Sequence, residues 1–394
     1  MLETSALPEP SAAAAVVSAE LGASIAQAIG DAGGHIGFDE YMRRALYEPG
    51  LGYYVGGTIK FGKDGDFVTG PELSPLFGAC IARSIREVLR HVGAGSVLEF
   101  GAGSGALAAS VLSTLAASDE LPRTYTIIEL SPDLRDRQRE TIAARAPDCV
   151  DRVTWVQGVP EEPMDGVVIA NEIIDALPVR CFKLLAGDVL ERCVGITHDR
   201  FDWIETAAPA AFVEHVRARF GEDFVGEGSG YRSEINVGVE PWIADLGRFL
   251  RRGAALIVDY GYPEREYYHP DRSAGTLMCH YRQRAHDNPF SYPGLQDITA
   301  SVDFTHVAEA AYDCGFRVAG FTEQSSFLLG TGLLDDVAAL SESGDEAHRQ
   351  RLAYETKVLT LPTEMGARFK FLGLTKDYER PLGGFQIRDD RHRL

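Results

Sequence analysis

The residues best suited to chemistry begin with Glu99-Phe-Gly-Ala-Gly-Ser-Gly, an acid two positions ahead of Gly101, Gly103 and Gly105. Glycines so spaced can take positive φ and carry no side chain to hold a ligand off, and the N–H groups of a following helix start face whatever lies there. The run fits two cofactor classes. It satisfies the dinucleotide pattern G-x-G-x-x-G/A with Ala106 in the last place. It also satisfies the methyltransferase form, an acid two before the first glycine and then G-x-G-x-G. Glu99 favours the second, because a carboxylate ending the first strand can reach the ammonium side of S-adenosylmethionine, whereas a dinucleotide site usually places an apolar residue there. Glu129 closes the next apolar run and can accept both ribose hydroxyls, a service that either cofactor needs.

A second acidic group stands in Asn171-Glu-Ile-Ile-Asp-Ala-Leu-Pro. Asn171 and Glu172 follow a strand candidate and should face the same crevice as the glycine loop. If the segment turns helically before Pro178, Glu172 and Asp175 share a face and can grip a guanidinium or ammonium by charge-assisted hydrogen bonds. Equally, Asp175 can cap the turn and leave Glu172 alone near the ligand. With the reactive group on a cofactor, the protein has to align the acceptor and control its charge, so the lack of a Ser-His-Asp or Cys-His arrangement does not count against an enzyme. Asn171, Glu172 and Asp175 are the catalytic candidates. Asp259 ends a later strand and could edge the substrate mouth. His280, His286, Asp297 and Asp303 follow it, with Asp303 expected to N-cap a helix from Phe304 and His286 a candidate acid or base, although lone histidines more often make structural hydrogen bonds. The six cysteines form no C-x-x-C pair and the ten histidines no H-E-x-x-H, so reduced thiols and no metal are expected.

The elements that must position these residues alternate. Strand candidates at 97–100, 125–129, 153–156 and 166–170 are separated by helical spacing at 107–116 and 134–146, the rhythm of an α/β, Rossmann-like, doubly wound parallel sheet. After Pro178 the runs 179–185, 189–196 and 201–205 are divided by turn residues and read as an antiparallel insertion, with helices at 211–220 and 242–250. The strand rhythm resumes at Ala254-Ala-Leu-Ile-Val-Asp, followed by a helix at 302–314, a strand at 316–321, helices across 324–358 and a strand at 369–374. Ahead of the glycine loop lie helices at 16–30, 38–46 and 76–91, an aromatic loop Tyr47-Glu-Pro-Gly-Leu-Gly-Tyr-Tyr, and a Gly- and Pro-rich loop over 61–78 that suits a ligand cover or a surface Ω-loop. The resulting division is a disordered tail over 1–15, an N-terminal helical region over 16–95, a first core half over 96–178, an insertion over 179–252, and a second core half with helical additions over 253–394.

At 394 residues and 45% hydrophobic content the chain can bury a large core. A formal charge of -20 argues against nucleic acid as the main partner and suits a basic protein substrate or simply solubility. No uninterrupted apolar run approaches 18 residues, so no membrane span is expected. The first 42 residues hold neither Lys nor Arg, which differs from a presequence pattern and leads to the expectation of a bacterial cytoplasmic protein.

Several runs together resemble the MidA-like methyltransferase family, whose mitochondrial members assist respiratory complex I assembly. They are 47–54, Gly65-Asp-Phe-Val-Thr-Gly-Pro-Glu-Leu-Ser-Pro-Leu-Phe-Gly, 98–105, 171–179, Val258-Asp-Tyr-Gly, 297–304 and Met365-Gly-Ala-Arg-Phe-Lys, spread over nearly the whole chain. The resemblance implies a class I methyltransferase fold with an inserted subdomain, S-adenosyl-L-methionine as donor and a protein arginine as acceptor, with a respiratory complex subunit as the partner. It adds Asp66, Phe67, Thr69 and Glu72 to Glu99, Gly101, Gly103, Gly105, Glu129, Asn171 and Glu172 around the cofactor. A non-catalytic assembly factor that binds S-adenosylmethionine is the alternative, and a NAD-dependent oxidoreductase comes third.

Overall fold

The computed structural model describes residues 7–56, 69–220 and 230–394. Its centre is an eight-stranded sheet whose strands, in chain order, are β1 (Ser96–Phe100), β2 (Tyr125–Ile128), β3 (Val153–Val156), β4 (Met164–Asn171), β5 (Leu250–Tyr262), β6 (Val302–Asp303), β7 (Arg317–Glu323) and β8 (Phe369–Lys376). Across the sheet they run β7-β8-β5-β4-β1-β2-β3, with β6 attached to the end of β5. Strands β1 to β5 are parallel, and β8 is antiparallel to both its neighbours. The chain leaves β1 toward β2 and β3 and returns on the other side at β4, so the crevice of the doubly wound sheet opens at the ends of β1 and β4.

The strands are apolar on both sides because helices cover both faces. Val97, Val167, Ile169 and Leu256 enter one core with Ile81, Ile85, Val111 and Leu112 of helices Pro75–Val92 and Ala106–Ala117. Their neighbours Leu98, Val168, Ala170 and Ile257 enter the other with Ile243, Leu246 and Val307 of helices Val239–Phe249 and Phe304–Asp313. Alternate residues thus serve opposite layers, as strand geometry requires.

The insertion is antiparallel. Val179–Leu185 pairs with Asp188–Thr197 and Tyr231–Asn236, and Asp188–Thr197 also takes Arg200–Ala207. Its fifth strand was unexpected: His35–Gly37, from the N-terminal region, pairs with Cys193 to Gly195. The turn before it uses Gly33 and Gly34 at φ +84° and +115°. Leu21, Ile25, Phe38, Tyr41 and Met42 then pack with Val179, Cys181 and Val194, so the N-terminal helices and the insertion share a core.

Helix Ala12–Asp31 begins inside the segment expected as a tail, with Ser11 accepting from Ala14 N at 3.3 Å; residues 1–6 of that tail lie outside the described residues. This 20-residue helix is long and apolar enough, by length and composition, to cross a membrane, a feature masked in the sequence by its Ser, Gly, Glu and Gln. Leu21, Ile25 and Ile29 are nevertheless buried against the shared core. A small sheet of Met278–Tyr281, Arg284–His286 and Asp297–Thr299 also lay beyond the sequence reading. All six cysteines are free thiols.

Candidate active site

A cavity of about 470 Å³ lies at the crevice. One wall is the turn after β1. Gly101 and Gly103 stand at φ +55° and Gly105 at +87°, where Gly105 ends the turn and starts helix Ala106–Ala117. A Cβ on Gly101 would sit 2.7 Å from Ile173 Cδ1, and one on Gly105 2.9 Å from Gln138 Cα. Gly101 and Gly103 line the cavity, while Gly105 stands behind it. Ser104 donates to Glu72, which with Thr69 brings the segment before helix Pro75–Val92 over the glycine turn. Asp66 and Phe67, named with them from the sequence, lie outside the described residues.

Glu99 and Glu129 also face the cavity. Glu99 is 2% exposed, and burial pushes its carboxyl up to about 7 even though Tyr125 Oη donates to it at 2.6 Å; the nearby Glu129 adds to the rise. Glu129 is held at both oxygens. Ser131 N donates to Oε1 at 2.9 Å and Gln138 Nε2 to Oε2 at 2.8 Å. The same Nε2 donates to Gly103 O at 3.0 Å, while Trp155 Nε1 donates to Gln138 Oε1 at 2.9 Å. Gln138, fully buried, therefore ties Glu129 to the glycine turn, a role with no local sequence signal.

The second wall corrects the helical reading of 172–175. Asn171 ends β4, and Glu172 then takes φ +53°, a left-handed conformation that the body of an α-helix cannot include. Its N–H donates to Val258 O at 2.8 Å, and Asn171 Nδ2 donates to Glu172 Oε1 at 3.1 Å. The turn is capped by Asp259 rather than by Asp175. Asp259 Oδ2 accepts from Ile174 N at 3.0 Å and Asp175 N at 3.2 Å, and Oδ1 from Tyr260 N at 2.9 Å. Asp259 is thus a buried brace behind the wall, not part of a substrate mouth.

Freed from capping, Asp175 lines the cavity beside Glu172, and its Oδ1 is buried with no hydrogen-bond partner among the described residues. Burial raises Glu172 to about 8, with Asp175 adding repulsion. Burial likewise raises Asp175 and, further, Asp259. Such a cluster holds protons until a cation replaces them.

The roof comes from the aromatic loop. Tyr47 and Tyr54 stack with centroids 5.5 Å apart, Tyr47 Oη donating to Ala176 O at 3.1 Å and Tyr54 Oη to Asp297 Oδ1 at 2.8 Å. His280, Tyr260 and Arg368 complete that end. Burial and the Arg368 charge lower His280, favouring its neutral form. His286 does not line the cavity, and its Nδ1 accepts from Asn288 N at 3.3 Å. Asp303 N-caps helix Phe304–Asp313 as expected. The described lining carries seven carboxylates, Glu72, Glu99, Glu129, Glu172, Asp175, Asp297 and Glu364, against the single guanidinium of Arg368.

A doubly wound sheet with one antiparallel strand, a glycine turn after β1 and acids at the ends of β1, β2 and β4 defines a class I methyltransferase. The chain belongs to the family of S-adenosyl-L-methionine-dependent methyltransferases, whose family model matches residues 80–322. It is similar to the mitochondrial protein arginine methyltransferase NDUFAF7 of Danio rerio, at 28% identity over 86% of this chain and 83% of the relative. The Drosophila melanogaster homologue is 30% identical over 86% of this chain and 82% of its own length. A crystal structure from Burkholderia thailandensis, bound to S-adenosyl-homocysteine, superposes with a TM-score of 0.93 at 42% identity, covering 99% of this chain and all of the other. The protein is an S-adenosylmethionine-dependent methyltransferase. The open glycine turn and the acidic lining fit a cofactor bearing an ammonium and a sulfonium.

Proposed function

We propose that the chain is a protein arginine N-methyltransferase that acts in the cytoplasm. One observation carries the acceptor class: Glu172 and the unpartnered Oδ1 of Asp175 form an acidic wall that can ionise against a guanidinium. The names of the relatives in Danio rerio and Drosophila melanogaster support the same acceptor.

In this reading Glu99, Gly101, Gly103 and Glu129 hold the cofactor, with Gly105 shaping the turn and Thr69 and Glu72 closing over it. Bound S-adenosylmethionine supplies an electrophilic methyl group. Asn171 borders both ligands and orients Glu172. Glu172 holds one guanidinium nitrogen and draws positive charge toward it, which leaves electron density on the attacking nitrogen. Asp175 Oδ1 would accept the proton that this nitrogen sheds as the N–C bond forms and the methyl–sulfur bond breaks, the electron pair staying on the sulfur of the departing S-adenosyl-homocysteine. The acceptor protein carries a basic segment, and a respiratory complex subunit is the first partner to test.

The test is incubation of cell lysate with the enzyme and methyl-labelled S-adenosylmethionine, followed by mass spectrometry. Label on protein arginine is expected, and Glu172→Gln should lower transfer about 10²-fold or more while leaving S-adenosyl-homocysteine affinity within a few fold. Label confined to small molecules or nucleic acid would overturn the acceptor. A Gly103→Val chain that still performs the cellular role without methyl transfer would instead identify an assembly factor.

A further inference from the structure

Away from the cavity, three helices bring two imidazoles and a carboxylate to one point. His215 lies on Ala210–Phe220 of the insertion, Glu240 in the first turn of Val239–Phe249, and His306 in the first turn of Phe304–Asp313. None of the three lines the cavity. The Nε2 atoms of His215 and His306 lie 3.4 Å and 2.8 Å from the same oxygen, Glu240 Oε1, and the three donor atoms all fall within 4.8 Å of one another. The rings meet edge to face, with centroids 5.9 Å apart.

Two histidine–carboxylate ion pairs are the simpler account, and against the cost of burial both imidazoles draw the Glu240 carboxyl below its usual range, but His306, by its alignment, meets that account only in part. Its side chain is 4% exposed, and its Nε2 is buried with no hydrogen bond, because the nitrogen, although 2.8 Å from Oε1, is not aligned to donate to it. An unsatisfied buried imidazole nitrogen is costly. A metal ion among the three donors satisfies all of them at once. Zinc bonds of about 2.0–2.1 Å in tetrahedral geometry place neighbouring ligand atoms about 3.3 Å apart, close to the 3.4 Å and 2.8 Å from Glu240 Oε1 to the two imidazole nitrogens. Two neutral nitrogens and one carboxylate suit zinc and its transition-metal neighbours, and not Mg²⁺ or Ca²⁺, which favour oxygen ligands. The side chains of His215 and Glu240 are 31% and 43% exposed, which leaves water access to a further coordination position.

We infer that His215, Glu240 and His306 form a Zn²⁺-class divalent metal site that pins the inserted subdomain to the methyltransferase core. The ligands are 25 and 66 residues apart along the chain, from 215 to 240 and from 240 to 306, which is why no short motif announced them. Arg219, one turn beyond His215, does not oppose the ion as a free charge, since Glu264 accepts from it at 3.2 Å and Glu309 at 2.5 Å.

The experiment strips the full-length protein with a chelator and titrates it with Zn²⁺ by calorimetry, following Co²⁺ absorption in parallel. One equivalent should bind saturably, Co²⁺ should give ligand-field bands of a low-coordinate site, and Zn²⁺ should raise the thermal midpoint. His215→Ala and Glu240→Gln, both at partly exposed positions, should each weaken Zn²⁺ at least tenfold and abolish the thermal shift. S-adenosyl-homocysteine affinity should stay unchanged in both, showing that they are folded. No saturable binding by the parent protein, or undiminished affinity in both variants, overturns the site.

Discussion

At the scale of single residues, burial holds Glu99 and Glu172 toward their neutral forms until a cation arrives. Glu99 shows the consequence most simply. Its carboxyl titrates near 7 because burial outweighs the bond from Tyr125. On the proposed reading, in which Glu99 pairs with the ammonium of the cofactor, that pairing forms only above this range. S-adenosyl-homocysteine affinity, measured by calorimetry from pH 5.5 to 8.5, is expected to strengthen as pH rises through about 7 and then level. Glu99→Gln should weaken binding and flatten the profile; an unchanged slope in that variant would assign the titration elsewhere. Glu172 extends the argument to the acceptor. Its free-enzyme value near 8 implies that kcat/KM rises with pH through that region, as an apparent constant of the cluster rather than of one group. Glu172→Gln should remove this limb, with the rate profile as the check.

At the scale of elements, strand ends and the turns after them decide which acids meet the ligand. Gln138 couples two such ends, so Gln138→Leu should release Glu129 and leave Gly103 O without its donor. Losing a hydrogen bond to a charged group costs about 1.5–3 kcal/mol, which predicts S-adenosyl-homocysteine binding weaker by roughly 10- to 100-fold in calorimetry. Wild-type affinity in the folded variant would mean that Glu129 needs no such support. The contrast with Glu99, Glu129 and Asn171 explains what the sequence could reveal. Those three end apolar runs, and in a parallel sheet the end of a run fixes a place in space. Gln138, on helix Pro132–Arg145, and Tyr125, on the strand beside β1, act through partners on other elements, which no local pattern encodes. Glu172 and Asp175 were visible as acids, but their geometry was not, because it depends on a left-handed residue and a brace from Asp259 on β5. Strands of β1 to β5 showed as apolar runs, whereas His35–Gly37 is too short to display any period.

At the scale of the whole molecule, two layers divide the work. The central sheet carries Glu99, Glu129 and the glycine turn, while the N-terminal helices, fused with the insertion through Phe38, Tyr41 and Trp203, deliver Tyr47 and Tyr54 to the roof. Phe38 is fully buried, with its ring centroid 4.9 Å from that of Trp203, and Tyr41 Oη donates to Pro289 O at 2.8 Å. Phe38→Ala opens this seam at a cost of about 3–5 kcal/mol, and a cooperative unit of this size should melt about 4–6 °C lower. The loss should not fall evenly on the two halves of the site. S-adenosyl-homocysteine should bind within about twofold of wild type, since its contacts stand on the sheet, while methyl transfer falls further as Tyr47 and Tyr54 lose their fixed bonds to Ala176 O and Asp297. Calorimetry beside steady-state methylation separates the two quantities. If affinity and turnover declined together, the roof would belong to the cofactor half, and the division of labour between sheet and N-terminal layer would have to be redrawn.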